Sequence, residues 1–327
     1  MLVQTAFIGD FVITTPVISS LNSSFGKDNV YLVARPFAKE LTSNKVIEFQ
    51  KERSKYMNLL KLVVHLNALE PDICIVPHLS ATSAIISLLS GARERVGFEE
   101  NTLSFLFTKK VRKFGKDLES ESQRISRILE PLGLKAGKPE IFVDKHYVEK
   151  WRKFLKPFVS RKKVVFAPFS NWQTKSYVYW KELFDFLPDD ILFILVGQTK
   201  TTGYALKNKN VVDLLNRTTL KDVVAILYIS DFFLGVDNGI SHIASSLSKP
   251  CFVIFGPTVP EFGFFPNFSA YRILQTDLPC RPCSLHGPNT CPRSHFACMK
   301  NLKPDFVVRE FLDFIKNQID SMEFSDI

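Results

Sequence analysis

The run at 235–257, GVDNGISHIASSLSKPCFVIFGP, is the stretch of this chain whose residue types and spacing best suit chemistry. An apolar segment, 231–236, ends in Asp237-Asn238-Gly239. A short amphipathic run containing His242 follows, and a second apolar segment, 251–255, leads into Gly256-Pro257. The pattern predicts strand, tight turn, helix, strand, with the turn at the carboxyl edge of a parallel sheet, where α/β proteins bind ligands. A helix N-terminus offers unpaired N–H groups and a partial positive charge, so it suits a phosphate or diphosphate. Gly239 lets the backbone come close to such an anion, and Asp237, Asn238, Ser241 and His242 surround it with polar groups. The same residues also suit an ordinary polar cap, and this stretch alone leaves both readings open.

Other groups invite similar pairs of readings. Gly9-Asp10 follows the first apolar segment and is expected at another strand-to-helix turn. Its carboxylate suits a general base toward a hydroxyl, and equally a helix cap, which is the commoner role. The loop 168–175, PFSNWQTK, combines Ser170, Asn171 and Lys175. Hydroxyl and amide donors with one ammonium suit a diphosphate, although a polar loop has the same composition. Gly197-Gln198 ends a later apolar segment, within reach of a base or ribose. No Walker pattern and no DxD pair is present, so metal-assisted phosphoryl transfer is not supported.

Four of the six cysteines, Cys280, Cys283, Cys291 and Cys298, lie close together in sequence. A Cys-x-x-Cys with two further cysteines nearby suits structural zinc, and equally reduced, packed thiols. Cys74 and Cys251 lie in strand-like runs and read as buried small hydrophobes.

The elements that must position these groups alternate. Strands are expected at 2–7, 30–34, 73–76 and 95–98, with helices at 12–24, 81–89 and 120–132. After a linker near Pro139 and a helix at 147–155 the pattern restarts. Strands are expected at 164–167, 191–196 and 211–214, helices at 180–187 and 220–229, then the 235–257 unit, and a terminal helix at 304–319. Two successive sets of this kind imply two doubly wound α/β domains. We place them at 1–150 and 151–327, with the last helix free to cross back onto the first.

Length and composition agree. The chain has 327 residues, more than one simple core accommodates, with 46% hydrophobic and 23% charged residues. No apolar run approaches the roughly 20 residues of a membrane span. The N-terminus lacks a basic opening and carries Asp10 inside its apolar part, so it does not read as a signal peptide and a cytoplasmic location is expected. The formal net charge of +9 favours anionic partners. The group Lys109, Lys110, Arg112, Lys113 and Lys116 reads as a solvated face, and no aromatic-basic motif points to nucleic acid.

Taken in order, QTAFIGDFVITTPVISSL, SLLSGARERVGF, APFSNWQTKSYVYW and the stretch from GVDNGISHIA through FGPTVP to CRPCSLHGPNTCPRSHFACM resemble glycosyltransferase family 9, the ADP-heptose:lipopolysaccharide heptosyltransferases. The likeness spans nearly the whole chain. It implies a GT-B architecture, two Rossmann-like domains facing across a cleft, with the acceptor on the first and the nucleotide-sugar on the second. It also implies an inverting, metal-independent transfer of heptose from ADP-heptose to a lipopolysaccharide inner core, performed at the cytoplasmic face of the inner membrane. By this resemblance Asp10 is the general base, and Ser170, Asn171, Lys175, Asp237, Asn238, Gly239 and His242 line the donor site.

Three departures stand out. The first strand begins almost at Met1, as in a late start or a shortened strand. Asn238 stands where Ser or Thr is common. No Glu closely follows Gly197, leaving Gln198 or Thr199 to meet the ribose. A related transferase using another nucleotide-sugar, and a non-catalytic binding protein of a glycan-assembly complex, are the competing expectations.

Overall fold

In the computed structural model, residues 1–49, 62–66, 68–114, 119–201 and 208–323 are described. They form two compact units, Met1–Phe142 and Val143–Ile327. The first holds a six-stranded sheet of β1 (Leu2–Gln4), β2 (Tyr31–Ala34), β3 (Lys45–Glu48), β4 (Ile73–Val76), β5 (Glu94–Phe98) and β6 (Lys109–Val111), in the order β3-β2-β1-β4-β5-β6. The second holds β7 (Lys162–Ala167), β8 (Ile191–Leu195), β9 (Val211–Asp213), β10 (Phe232–Val236), β11 (Cys251–Phe255) and β12 (Tyr271–Gln275), in the order β12-β11-β10-β7-β8-β9. Every pairing in both sheets is parallel.

Counted within its own unit, each sheet has the 3-2-1-4-5-6 order of the doubly wound dinucleotide-binding fold. The chain direction across the sheet therefore reverses twice in the molecule, between β1 and β4 and between β7 and β10. Crossover helices diverge at such a reversal and leave the strand ends open to a ligand.

The central strands are buried on both faces, which is why they read as continuous apolar runs: β8, β10 and β11 have no exposed residue. The second core is rich in phenylalanine. Phe166 meets Phe193 edge-on with ring centroids 6.2 Å apart, and Phe252 meets Phe311 at 5.6 Å. Phe311 lies on the terminal helix Pro304–Glu323, which also buries Val307, Val308, Phe314 and Ile315 in this same core. The apolar stripe of this helix thus joins the core of the second unit.

Local chemistry moves several boundaries from their expected places. The first helix runs Ile8–Phe25, so Gly9 and Asp10 lie in its first turn rather than in a turn before it. Pro16 is inside this helix and cannot donate to the carbonyl of Val12. The Thr15 hydroxyl donates to that carbonyl instead, at 2.7 Å. The segment expected as one helix at 120–132 is α-helical over Glu121–Ser126 and winds into a tighter 3-10 helix over Arg127–Leu132, where Pro131 interrupts the ladder. At 180–187 only a 3-10 turn forms, Glu182–Phe186.

Strands β3, β6 and β12 had no counterpart in the sequence reading. Of the basic group on and after β6, Lys110 and Arg112 are exposed as expected, whereas Lys109 and Lys113 are paired. Lys113 is buried in an ion pair with Glu121 at 2.5 Å, Lys109 meets Glu94 at 2.9 Å, and Lys116 lies outside the described residues.

Candidate active site

In the second unit the loops after β7 and β10 meet. Lys175 closes a short 3-10 turn, Gln173–Lys175, and its stem is buried. Its Nζ lies 2.6 Å from Oδ2 of Asp237, the first residue after β10. The hydroxyl of Thr258, in the loop after β11, donates to the same Oδ2 at 2.7 Å. One carboxylate oxygen thus joins residues from three loops at the sheet edge.

Asn238 caps the helix Gly239–Ser246. Its Oδ1 accepts from the Ile240 and Ser241 amides at 2.9 and 3.1 Å. Its Nδ2 donates to the carbonyls of Ala167 and Phe169 at 3.3 and 2.9 Å, which ties the helix N-terminus to the end of β7. Ser or Thr in this place could cap the helix but could not donate twice more, so the departure from the family pattern has a structural use. A turn later, His242 is buried. Burial pushes its imidazole pKa down to about 4, Asp237 acting against this and Lys175 with it. His242 is therefore neutral at pH 7, and its Nδ1 has no hydrogen-bond partner.

Residues 286–288 cover the lysine from the far side, which sequence reasoning missed. Trp172 stacks on His286 with centroids 5.3 Å apart, and Lys175 Nζ lies 5.5 Å from the Trp172 ring centroid. The Thr174 hydroxyl donates to the Pro288 carbonyl. Gly287 sits at φ +78°, where a Cβ would come 3.1 Å from Lys175 Cγ. The Gly-Pro pair at 287–288 was the available signal, a turn residue followed by a chain stiffener.

The remaining donor candidates are more peripheral. Ser170 Oγ accepts from the Trp172 amide at 3.4 Å, while Asn171 is exposed. Gly197 lies two residues after β8 at φ +127°, its carbonyl accepting from the Asn216 amide at 2.9 Å, and Gln198 beside it is exposed.

For Cys280, Cys283, Cys291 and Cys298 the sequence leaves structural zinc and reduced, packed thiols as alternatives. Among the described residues no group of three or more His, Cys, Asp or Glu side chains is arranged to hold a metal ion. Cys298 is buried on the helix Ala297–Lys300, in the core, whereas Cys280 faces His295 at 3.9 Å and Cys283 turns its thiol toward the Cys280 carbonyl. Burial and the neighbouring thiols push the Cys298 pKa to about 11 and raise that of Cys283.

In the first unit, Asp10 is half-buried in the first helical turn after β1, and its Oδ2 accepts the Phe7 amide at 3.2 Å. The Asp10 carbonyl accepts from the Thr14 hydroxyl at 2.7 Å, and Gln4 Nε2 donates to that hydroxyl at 2.8 Å. After β4, on the other side of the reversal, His78 Nε2 lies 3.0 Å from Ser83 Oγ and 3.4 Å from the Thr5 amide nitrogen. His78 was not anticipated from sequence, since it follows a strand whose neighbour in the sheet is not its neighbour in the chain.

Each sheet thus carries polar and ionisable groups at its reversal. Comparison with known proteins decides the matter: the model of glycosyltransferase family 9 (heptosyltransferase) matches residues 59–289. The chain belongs to glycosyltransferase family 9. A relative, lipooligosaccharide heptosyltransferase 2 of Campylobacter jejuni, is 25% identical over 95% of this chain and 96% of its own. The structure of the E. coli ADP-heptose lps heptosyltransferase II matches with a TM-score of 0.74 at 17% identity, over 97% of this chain and 98% of that one. An E. coli heptosyltransferase solved with ADP-2-deoxy-2-fluoro heptose matches at 0.67 and 18% identity, over 95% and 98%. The family 9 protein described here is therefore a glycosyltransferase built of two Rossmann-like units, the GT-B class. Among the described residues no helix is long and apolar enough to cross a membrane.

Proposed function

We propose that this family 9 enzyme transfers heptose from ADP-heptose to a lipopolysaccharide inner-core acceptor, with inversion at the anomeric carbon. Asp10 takes the proton of the acceptor hydroxyl, whose oxygen bonds to the anomeric carbon as the bond from that carbon to the diphosphate breaks. ADP leaves with increased negative charge. Lys175 and the Asn238-capped helix N-terminus stabilise that charge, the role a metal ion plays elsewhere, so the transfer is metal-independent in this reading. Neutral His242 presents an imidazole nitrogen without adding charge, and Ser170, Asn171, Gly197 and Gln198 contact the rest of the donor.

The observation that carries this reading is the buried Lys175–Asp237 pair beside a capped helix N-terminus, in a family 9 chain. A buried ammonium held by a neighbouring carboxylate is poised to exchange part of that contact for phosphate oxygens. The net charge of +9 suits an acceptor carrying phosphates and acidic sugars at the cytoplasmic face of the inner membrane, where the enzyme acts as a peripheral protein.

The test is incubation with ADP-heptose and truncated lipopolysaccharide cores, with and without a chelator, following products by mass. A gain of one heptose, unaffected by chelation, is expected. Gln198, standing where a carboxylate meets the ribose by resemblance, favours a second reading with another nucleotide. Turnover of a UDP- or GDP-sugar in preference to ADP-heptose would replace the first reading with that one.

A further inference from the structure

We propose that Thr258 and Arg281 are positioning residues for Lys175, so that the loop after β11 and the Cys-rich segment fix the place of the ammonium that meets the donor. This rests on the reading that Lys175 takes the donor diphosphate.

A lysine ammonium is a point charge on a flexible four-carbon stem, so it needs its position imposed from outside. Asp237 imposes it here, at 2.6 Å, and Thr258 in turn holds Asp237. Thr258 is 2% exposed, and its hydroxyl donates to the oxygen that Lys175 uses. That bond fixes the carboxylate rotamer, and with one of its three N–H groups spent on Asp237, Lys175 keeps others for a ligand.

Thr258 is itself held by Arg281, which lies between Cys280 and Cys283. The Arg281 guanidinium donates to the carbonyls of Thr258 at 2.7 Å, Gly256 at 2.5 Å and Thr276 at 2.5 Å, and to Gln275 Oε1 at 2.9 Å. It spans the ends of β11 and β12 with a rigid planar fork that a lysine could not reproduce. The Cys283 amide adds a bond to the Pro257 carbonyl at 2.9 Å. Four residues in series, Arg281, Thr258, Asp237 and Lys175, therefore run from the Cys-rich segment to the helix N-terminus.

ADP affinity of the full chain, measured by calorimetry, tests this, with thermal melts confirming that each variant folds. Thr258→Val is expected to weaken ADP binding roughly tenfold, the scale of a hydrogen bond to a charged group. Thr258→Ser restores the wild-type affinity, and Arg281→Lys shifts it in the direction of Thr258→Val. In a Lys175→Met background, Thr258→Val adds less than about twofold, because its effect travels through the lysine. Unchanged affinity in Thr258→Val beside a clear loss in Lys175→Met would overturn the positioning role and leave the donor site standing. Equal losses from Thr258→Val in both backgrounds, or no rescue by serine, would also overturn it. Failure of the wild type to bind ADP, or full binding by Lys175→Met, would overturn the donor-site reading and this inference with it.

Discussion

Lys175 and Asp237 are 62 positions apart in the chain, yet their side chains meet at 2.6 Å because β7 and β10 are hydrogen-bonded neighbours at the reversal of the second sheet. A break in strand order brings a cation and a carboxylate together beside a helix N-terminus. The pair is buried, so neither partner can be removed without leaving the other charge uncompensated.

Replacing Lys175 by Met is therefore expected to abolish measurable transfer and to weaken ADP binding at least tenfold, the change exceeding that for any exposed lysine of this unit. Removing one partner of a buried pair also costs about 3 kcal/mol or more of stability. Denaturant midpoints of Lys175→Met and Lys175→Met/Asp237→Leu should separate the two effects. The double variant recovers stability, since no lone charge remains, but not ADP binding.

Asp10 presents a cap-like bond and a catalytic candidate in the same side chain, and two substitutions distinguish them. Asn keeps an oxygen for the Phe7 amide and so keeps the helix start, but cannot accept a proton. Asp10→Asn is expected to fold as the wild type, bind ADP as the wild type, and lose kcat by about 100-fold or more. Wild-type kcat in Asp10→Asn would remove Asp10 from the mechanism.

His242 links stability to pH. Its pKa is lowered on folding from 6.5 to about 4, so between these values the unfolded chain holds the proton that the folded chain lacks. Stability falls as pH drops through 6.5 and the loss levels off near pH 4, where the folded imidazole also protonates. The full effect is about 3 kcal/mol. Urea midpoints recorded from pH 7.5 to 4 should slope downward for the wild type, and His242→Gln should flatten that window.

Asp222 is the structural counterpart, away from the candidate site. It accepts from Trp151 Nε1 at 2.8 Å, Lys150 at 2.7 Å, and the amide and hydroxyl of Thr219 at 2.9 and 2.7 Å. Burial works to raise its pKa, but these donors hold it down at about 2. Its contribution is present above about pH 4 and is lost as pH falls toward 2, below the His242 window. Asp222→Ala should lower stability by about 1 to 3 kcal/mol at pH 7, because the buried Trp151 indole N–H loses its acceptor and the helix after Thr219 loses its capping box. A change under about 0.5 kcal/mol in thermal or urea unfolding would show that water replaces the carboxylate there.

The edge strands mark the limit of what was legible in the fold. Strands with apolar residues on both faces, such as β8 and β11, were readable because burial on each side forces a continuous apolar run. β3 and β12 have no fully buried residue, so no apolar pattern marks them. The tight 3-10 turns at 127–132 and 182–186 kept helix-like apolar spacing while prolines beside or within them shortened the helices.

In the site, the turn residues 237–242 and Lys175 were legible because their types carry the chemistry and each follows an apolar run. Thr258, Arg281, His78 and the Trp172–His286 stack were not. An ordinary threonine, an arginine between cysteines and a histidine after a strand acquire meaning only from what lies opposite them.

By itself, the sequence determined two doubly wound α/β sets, the strand-end positions of Asp10, Lys175 and Asp237, and a resemblance to one enzyme family. These are set by local periodicity and by residue type, which survive in one dimension. Only the tertiary structure decided that Lys175 shares a carboxylate oxygen with Thr258, that Arg281 ties two strand ends together, and that Cys298 is buried in the core while Cys280 faces His295. Such relations depend on strand order and loop packing, and hydrogen-bond partners brought together from distant positions leave no periodic trace along the chain.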